Sequence, residues 1–196
     1  FGVIAYSTPG LSNIVTPNSG TEARVLHDFG DDYMYALVGS GFYRITYTPG
    51  TETYSAALKG NVGNASGNAW IVDNGTQLAI CDNENIYTYV PGTDTWTGLI
   101  TDAHFPGASC LTYQDGYGVF INPNTQQFFL TALYDFTDID PLDYASAEGW
   151  PDILVAIVMH YRELWMFGPA STEIWQNTGA ADFPFERISG GYLEVG

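Results

Sequence analysis

The chain has 196 residues, of which 45% are apolar and 15% aromatic, so it has enough apolar surface to bury a core and is not a disordered segment. Its 22 acidic and 5 basic residues give a formal net charge of −17, with no cluster of cations that could bind a phosphate backbone. Its apolar runs are far shorter than the roughly 18 residues that a membrane-spanning helix needs.

The chain begins with residues 1–22, "FGVIAYSTPGLSNIVTPNSGTE", which we interpret as the end of a preceding structural unit. The first residue is not Met, so we expect the sequence to be a fragment or a processed product of a longer chain. From residue 23 onward, short runs rich in Tyr, Phe, Val and Ile are separated by Gly, Pro, Asn and Asp. This pattern favours strands and tight turns over long helices.

These strands and turns recur at a regular spacing. Residues 46–54, "TYTPGTETY", return at residues 88–96 as "TYVPGTDTW", an offset of 42 residues. We interpret both as the hairpin that joins the third and fourth strands of a repeated unit. Two further turns, Asn74-Gly75 and Asp115-Gly116, lie 41 residues apart and predict type I′ hairpins between first and second strands. The predicted third strands carry large aromatic residues at steps of 44, 42 and 46: Tyr43, Tyr87, Phe129 and Trp175.

Four short antiparallel strands, repeated about every 40 to 50 residues, are typical of a β-propeller. We therefore predict an all-β fold, a β-propeller built of four-stranded antiparallel blades, with an incomplete ring within this chain. A β-sandwich is the alternative, but sandwich strands do not recur in sequence. Residues 1–196 are expected to be a single propeller region, with about four blades at roughly 23–60, 68–100, 108–134 and 153–190.

Residues 135–152, "DFTDIDPLDYASAEGWPD", interrupt the third unit where its fourth strand is expected. The segment contains six acidic residues and two prolines, and long insertions on repeat scaffolds often carry binding functions. The alternative is a solvated acidic loop that binds nothing. We predict an interface with a partner, with these candidate residues: Asp135, Asp138, Asp140, Asp143, Glu148 and Trp150.

The sequence contains no motif that demands catalysis, and we expect a protein that is not an enzyme and uses no cofactor. Asp138, Asp140 and Asp143 lack the central Gly and the closing Glu of a calcium-binding EF-hand loop, so no metal site is predicted. Asp73 and Asp115 are the carboxylates that a hydrolytic propeller could place in its central funnel, although turn chemistry alone explains both.

Two pairs of residues give predictions about the core. Trp165 in "ELWMF" and Trp175 in "TEIWQ" alternate with polar neighbours as in half-buried strands, so both are expected to face the core. Cys81 and Cys110 are too few for a disulfide framework and have no His at a zinc-site spacing. We expect two reduced, buried thiols, with a single bridge as the alternative.

Residues 162–190, "RELWMFGPASTEIWQNTGAADFPFERISG", closely resemble the packaged DNA-stabilisation proteins of short-tailed bacteriophages, also called tail accessory or hub proteins. The likeness over residues 1–60 is weaker and rests on "STPGL" and "YALVG". Four upstream stretches extend the resemblance over most of residues 68–196: "DNGTQLAI", "DAHFPGASCLTYQDGYGVFINP", "QQFFLTAL" and "DYASAEGWPDILVAIV".

The resemblance implies a structural virion protein: a β-propeller subunit of a homo-hexameric tail hub that closes the tail channel after packaging and retains DNA. Its implied partners are the portal adaptor and the tail needle or spike, and its implied location is the phage tail, assembled in the host cytoplasm. The net charge of −17 independently predicts that DNA passes such a ring without being bound specifically. The alternative is a carbohydrate-binding or hydrolytic propeller module.

Overall fold

The computed structural model describes residues 13–18, 21–30 and 33–196. In these ranges the regular secondary structure is all β-strand apart from one 3₁₀ turn at Pro91–Thr93. None of the described elements is a helix of the length and hydropathy that a membrane crossing requires. The strands in this part of the chain are β1 (Ala23–Phe29), β2 (Tyr33–Val38), β3 (Gly41–Thr48), β4 (Thr53–Asn61), β5 (Trp70–Asp73), β6 (Leu78–Cys81), β7 (Ile86–Val90), β8 (Thr95–Leu99), β9 (Leu111–Gln114), β10 (Tyr117–Ile121), β11 (Gln127–Leu130), β12 (Tyr144–Ser146), β13 (Ala156–His160), β14 (Glu163–Phe167), β15 (Thr172–Asn177) and β16 (Phe185–Leu193).

The strands form four antiparallel sheets, β1–β4, β5–β8, β9–β12 and β13–β16, and each sheet follows the order of the sequence. The first strands of successive sheets contact one another: β1 with β5, β5 with β9, and β9 with β13. The first strand of each sheet is therefore innermost and the fourth is outermost, as in blades arranged around an axis. This arrangement confirms the predicted all-β propeller, and the described strands do not form the two packed sheets of a β-sandwich.

Apolar side chains fill the seams between neighbouring blades. Tyr35 of the first blade packs against Tyr89 of the second, with ring centroids 5.5 Å apart. Phe120 of the third blade belongs to a second cluster that joins it to the second blade. In the third seam, Phe128 meets Trp175 of the fourth blade at a centroid distance of 5.1 Å. Burial of these rings and of the aliphatic side chains around them holds the blades together.

Within the described residues, no core of this kind joins the fourth blade to the first, so the ring is open in this chain. The outer face of the first blade carries a small cluster of Ala36, Val38 and Ile45, which is covered in part by Val15. The prediction that residues 1–22 end a preceding unit falls mainly outside the described residues. Residues 13–18, which are described, contain no strand.

Two predicted hairpins differ in their backbone conformation. At Asp115-Gly116 both residues have positive φ, 51° and 97°, as a type I′ turn requires. At Asn74-Gly75 only the glycine has positive φ, 84°, so the predicted turn type is wrong there. Asn74 Oδ1 instead accepts hydrogen bonds from the backbone N–H groups of Thr76 and Gln77. Asn74 is therefore the first residue of a longer turn. Both hairpins join first and second strands, as predicted.

The third blade has a fourth strand inside the segment that the sequence indicated as an insertion. Tyr144–Ser146 forms β12 and pairs with residues 127–129 of β11. The expectation that residues 135–152 replace this strand is therefore wrong. The strand escaped the sequence pattern because it is only three residues long and follows a loop, residues 131–143, that is longer than the corresponding hairpins of the other blades.

The two tryptophans of the fourth blade face opposite sides of the sheet. Trp175 is 9% exposed and lies in the seam with the third blade, as predicted. Trp165 pairs with Val158 and Ile174, and cross-strand neighbours share a face. It is therefore half-buried on the face turned away from the third blade, and the prediction that it faces the core is wrong. An end blade leaves one face uncovered, which alternation along a strand cannot reveal.

Arg24 fixes the connection between the first and second blades. Its guanidinium donates to five main-chain carbonyl oxygens, which include those of Gly39, Asn64 and Asp82. A guanidinium presents five N–H donors in a planar fork, so one side chain ties several separate backbone segments together.

Cys81 and Cys110 are buried and carry free thiols, as predicted. Burial raises the pKa of both groups, that of Cys110 to about 11. Because the thiolate is the reactive form, both side chains are unreactive core residues at neutral pH.

Candidate partner-binding surface

The loop of residues 131–143 is anchored in the seam between the second and third blades. Phe136 is 1% exposed and Ile139 2% exposed, and both belong to the apolar cluster that joins these blades. The ring of Phe136 also packs edge-on against Tyr113 of β9, with centroids 5.7 Å apart. These two buried side chains fix the loop in place, and Asp138 and Asp140 are exposed on its surface.

Asp135 is a structural residue of this loop. Its Oδ1 accepts hydrogen bonds from the backbone N–H and the hydroxyl of Thr137, at 2.9 and 2.7 Å, and from the amide of Gln77 at 3.4 Å. Burial alone would raise the pKa of Asp135, but these hydrogen bonds outweigh it and the pKa lies below its ordinary value. The carboxylate therefore stabilises a turn and is not free to meet a partner.

Asp138, Asp140 and Asp143 line one pocket together with Asp102 and His104, which come from the connection between the second and third blades. The pocket has a volume of about 440 Å³. Burial and the neighbouring Asp140 carboxylate raise the pKa of Asp143. We call this site the acidic pocket. Among the described residues, no three His, Cys, Asp or Glu side chains are arranged to hold a metal ion.

Glu148 lies in a different place, in a groove of about 840 Å³ at the seam between the third and fourth blades. Glu173 is only 3% exposed at its base, and its carboxylate accepts hydrogen bonds from Gly149 N–H and from the indole N–H of Trp175. Arg187 Nη1 lies 3.6 Å from the same carboxylate. We call this site the acidic groove.

Trp150 comes directly after Gly149, which lines the acidic groove. It is 49% exposed, and its carbonyl oxygen accepts a hydrogen bond from the Gln126 side chain. The structure therefore places the six predicted interface residues in separate sites rather than in one. Sequence reasoning missed Asp102, His104 and Glu173. For Glu173 a signal existed, because it lies two residues before Trp175 on the core-facing side of a strand, where a carboxylate is unusual.

Each of the five basic side chains contacts an acceptor within its own chain. Lys59 Nζ and Arg44 Nη2 both approach Asp94 Oδ2, at 2.7 and 3.6 Å. The remaining surface is therefore strongly acidic, with no basic patch in the described part of the chain. The other three contacts are Arg24 with main-chain carbonyls, Arg162 with Asp115, and Arg187 with Glu173.

The two carboxylates considered for a hydrolytic site are both engaged. Asp73 Oδ2 lies 2.7 Å from His27 Nε2, and its other oxygen accepts the N–H of Gly75 in the hairpin turn. Asp115 occupies a turn with positive φ and lies 3.3 Å from Arg162. Each therefore has a structural role in a hairpin or an ion pair.

The four blades, the open ring and the excess of acidic residues define an acidic β-propeller protein. The model of the phage-stabilisation family, described as "Bacteriophage P22 Gp10, beta-propeller", matches residues 4–196. The chain belongs to this family, which confirms the resemblance found in the sequence. It is a structural, stabilising protein of a bacteriophage virion.

Comparison with solved structures supports the fold alone, because identities are very low. The computationally designed Ika4 protein has a TM-score of 0.57 at 8% identity, covering 85% of this chain and 98% of the designed one. Hsv2 of Kluyveromyces lactis has a TM-score of 0.56 at 8% identity, and apo AztD of Citrobacter koseri 0.55 at 10%. These two comparisons cover 89% and 88% of this chain but only 51% and 47% of the other proteins. No curated protein matches the chain.

Proposed function

We propose that this protein is a subunit of a six-fold phage tail hub that closes the tail channel after packaging, retains the DNA, and connects the portal adaptor to the tail needle or spike. The observation that carries the proposal is the family match, which extends over residues 4–196. The protein assembles in the host cytoplasm and acts in the virion. Its role is mechanical rather than catalytic.

The charge distribution supports a channel wall that does not hold DNA. With a net charge of −17 and five scattered basic side chains that each contact an internal acceptor, the subunit offers no cluster of cations to replace the counterions of a phosphate backbone. A ring of such subunits repels the duplex, so retention comes from steric closure. DNA can then leave the channel without having to dissociate from its wall.

The acidic pocket and the acidic groove are the surfaces proposed to meet basic patches on neighbouring tail proteins. Both lie at seams between blades, where rigid strands and anchored loops position the carboxylates. Contacts of this kind accelerate association and select partners, and they weaken as salt is raised.

The proposal is tested by mixing the purified full-length protein with portal and adaptor and measuring complex formation by sedimentation as salt is raised. A variant that neutralises the acidic pocket, Asp138→Asn with Asp140→Asn and Asp143→Asn, is expected to associate more slowly and with a weaker salt dependence. The matched control removes three charges elsewhere on the exposed surface, at Glu52, Asp182 and Glu194. If the wild-type protein joins no tail component at low salt, the hub function is wrong.

A further inference from the structure

Three bulky residues have positive φ, and two of them, Tyr134 and Arg162, line one pocket. Tyr134, Tyr161 and Arg162 have φ values of 60°, 48° and 68°. The other five non-glycine residues with positive φ in the described ranges are Asp, Asn or Glu. Tyr161 and Arg162 are the two central residues of the hairpin between β13 and β14, where a type I′ turn requires positive φ. Tyr134 lies in the turn closed by the Asp135 N–H and the Ala132 carbonyl, at a position that Gly or Asn usually occupies. A large side chain there costs free energy, and such residues cluster at functional sites.

The pocket lies between two hairpins, the β9–β10 hairpin of the third blade and the β13–β14 hairpin of the fourth blade. We call it the hairpin pocket. Its volume is about 600 Å³, within the range of small-ligand sites. Its lining includes Tyr113, Asp115, Tyr134, Arg162, Asn177 and Thr178.

Packing in the core does not compensate for the strain. Tyr134 is 60% exposed, Tyr161 86%, and the Arg162 side chain 80%. The structure nevertheless holds two of these positions firmly. The N–H of Tyr134 donates to the Gly116 carbonyl at 2.7 Å, and buried Gln114 Nε2 donates to the Arg162 carbonyl at 2.6 Å.

The pocket combines flat rings with hydrogen-bonding groups of both kinds. The ring of Tyr134 lies against Gly116, where an added Cβ would come within 3.3 Å of it. Asp115 supplies an acceptor, Arg162 supplies donors, and Asn177 has an amide that can do both. The two charges lie 3.3 Å apart and neutralise each other locally.

We propose that the hairpin pocket binds a neutral saccharide. The exposed ring of Tyr134 packs on the apolar face of a sugar, while Asp115, Arg162 and Asn177 pair with its hydroxyl groups. A net charge of −17 disfavours phosphate or carboxylate ligands. A protein partner needs about 800 Å² of contact, more than one small pocket offers. This inference goes beyond the tail-hub function and does not depend on it.

The test begins with an array of bacterial surface oligosaccharides, including O-antigen and capsular repeats, probed with the full-length protein. The strongest binder is then titrated by calorimetry. Tyr134→Asn is expected to lower its affinity at least about tenfold without lowering thermal stability, because Asn tolerates positive φ better than Tyr. Tyr161→Asn is the matched control: it makes the same substitution at a positive φ in a neighbouring hairpin, outside the pocket lining. Its affinity should equal that of the wild type.

The proposal is overturned if no oligosaccharide binds at millimolar concentration, or if Tyr134→Asn and Tyr161→Asn have the same effect on affinity. A blank array combined with weaker association of Tyr134→Asn with portal or adaptor would assign the pocket to protein docking instead. That last result would leave the tail-hub function standing while removing the saccharide site.

Discussion

Trp175 and Trp165 occupy neighbouring strands of the fourth blade but have different surroundings. Trp175 fills the seam with the third blade, and its indole N–H donates to the buried Glu173 carboxylate at 2.9 Å. Trp165 lies on the uncovered face, and its N–H donates to Glu163 at 3.1 Å. The contribution of an aromatic residue to the stability of this fold therefore depends on whether another blade packs against the face on which it lies.

Trp175→Ala should lower the free energy of unfolding by about 3–5 kcal/mol, because it leaves a cavity in the seam and removes a partner of Glu173. Trp165→Ala should cost only about 1–2 kcal/mol, since its side chain is half-buried. Urea denaturation of the two variants and the wild type measures the difference. Equal losses would contradict the assignment of the two faces.

Two carboxylates of the same loop have pKa values shifted in opposite directions. The pKa of Asp143 is raised by burial and by Asp140, so its protonated form contributes stability that is fully present below the unfolded-state pKa and is lost as pH rises through the folded-state pKa. The pKa of Asp135 is lowered because hydrogen bonds outweigh its burial. Its contribution is present above the unfolded-state pKa and is lost as pH falls through the folded-state pKa.

Asp143→Asn should therefore be slightly stabilising at pH 7 and neutral near pH 3, while Asp135→Asn should be destabilising at pH 7 and less so in acid. Both effects should be small, because the two groups are partly exposed and solvent screens their charges. Thermal melting of both variants across this pH range gives the sign of each. The same sign for both at pH 7 would show that the two environments are alike.

At the scale of elements, residues 131–143 are an anchored loop rather than a free insertion. Phe136 and Ile139 lie in the seam while Asp138 and Asp140 are exposed, so the position of the acidic pocket depends on packing within the seam. Phe136 lies over Gly118, where an added Cβ would meet the ring at 2.9 Å. The glycine in β10 thus makes room for the anchor.

Phe136→Ala should destabilise the chain by about 3–5 kcal/mol and release the loop, because the ring is fully buried. Limited proteolysis should then cut within residues 131–143 faster than in the wild type. Leu142→Ala is the control from the same loop, since that side chain is 78% exposed and should change neither property by a measurable amount. If the Phe136 variant resists cleavage as the wild type does, the ring does not anchor the loop.

For the whole molecule, the dominant property is a surface of one sign. The five basic residues serve as internal clamps and ion pairs, so their charge is not presented to partners as a patch. A protein of this kind associates through its carboxylates or through neutral pockets. The negative electrostatic potential of this surface disfavours binding to a polyanion such as DNA.

The purified full-length protein should therefore show no binding to duplex DNA at micromolar concentration, even at low salt, where electrostatic attraction is strongest. Fluorescence anisotropy with a labelled duplex measures this directly. A basic DNA-binding protein in the same buffer confirms that the assay detects attraction. Micromolar or tighter binding by this protein would overturn the conduit role.

The class of fold and its four-stranded repeat could be predicted from the sequence. Turns and third-strand aromatics such as Tyr87 and Phe129 recur because each blade is the same local structure, and local structure is set by residues near in sequence. The sequence also determined the family, through long matched stretches. A short strand without alternating apolar residues, such as β12, could not be predicted in this way.

The contacts between distant side chains could not be predicted, because they depend on tertiary packing. The acidic pocket joins Asp102 and His104 to Asp138 and Asp143, which lie more than 30 residues further along the chain. Tertiary packing also places Trp165 on the face away from the third blade, and it brings each basic side chain into contact with an acceptor. These facts depend on how one blade packs against the next, and a pattern along one strand gives the two faces of a sheet without saying which face has a neighbour.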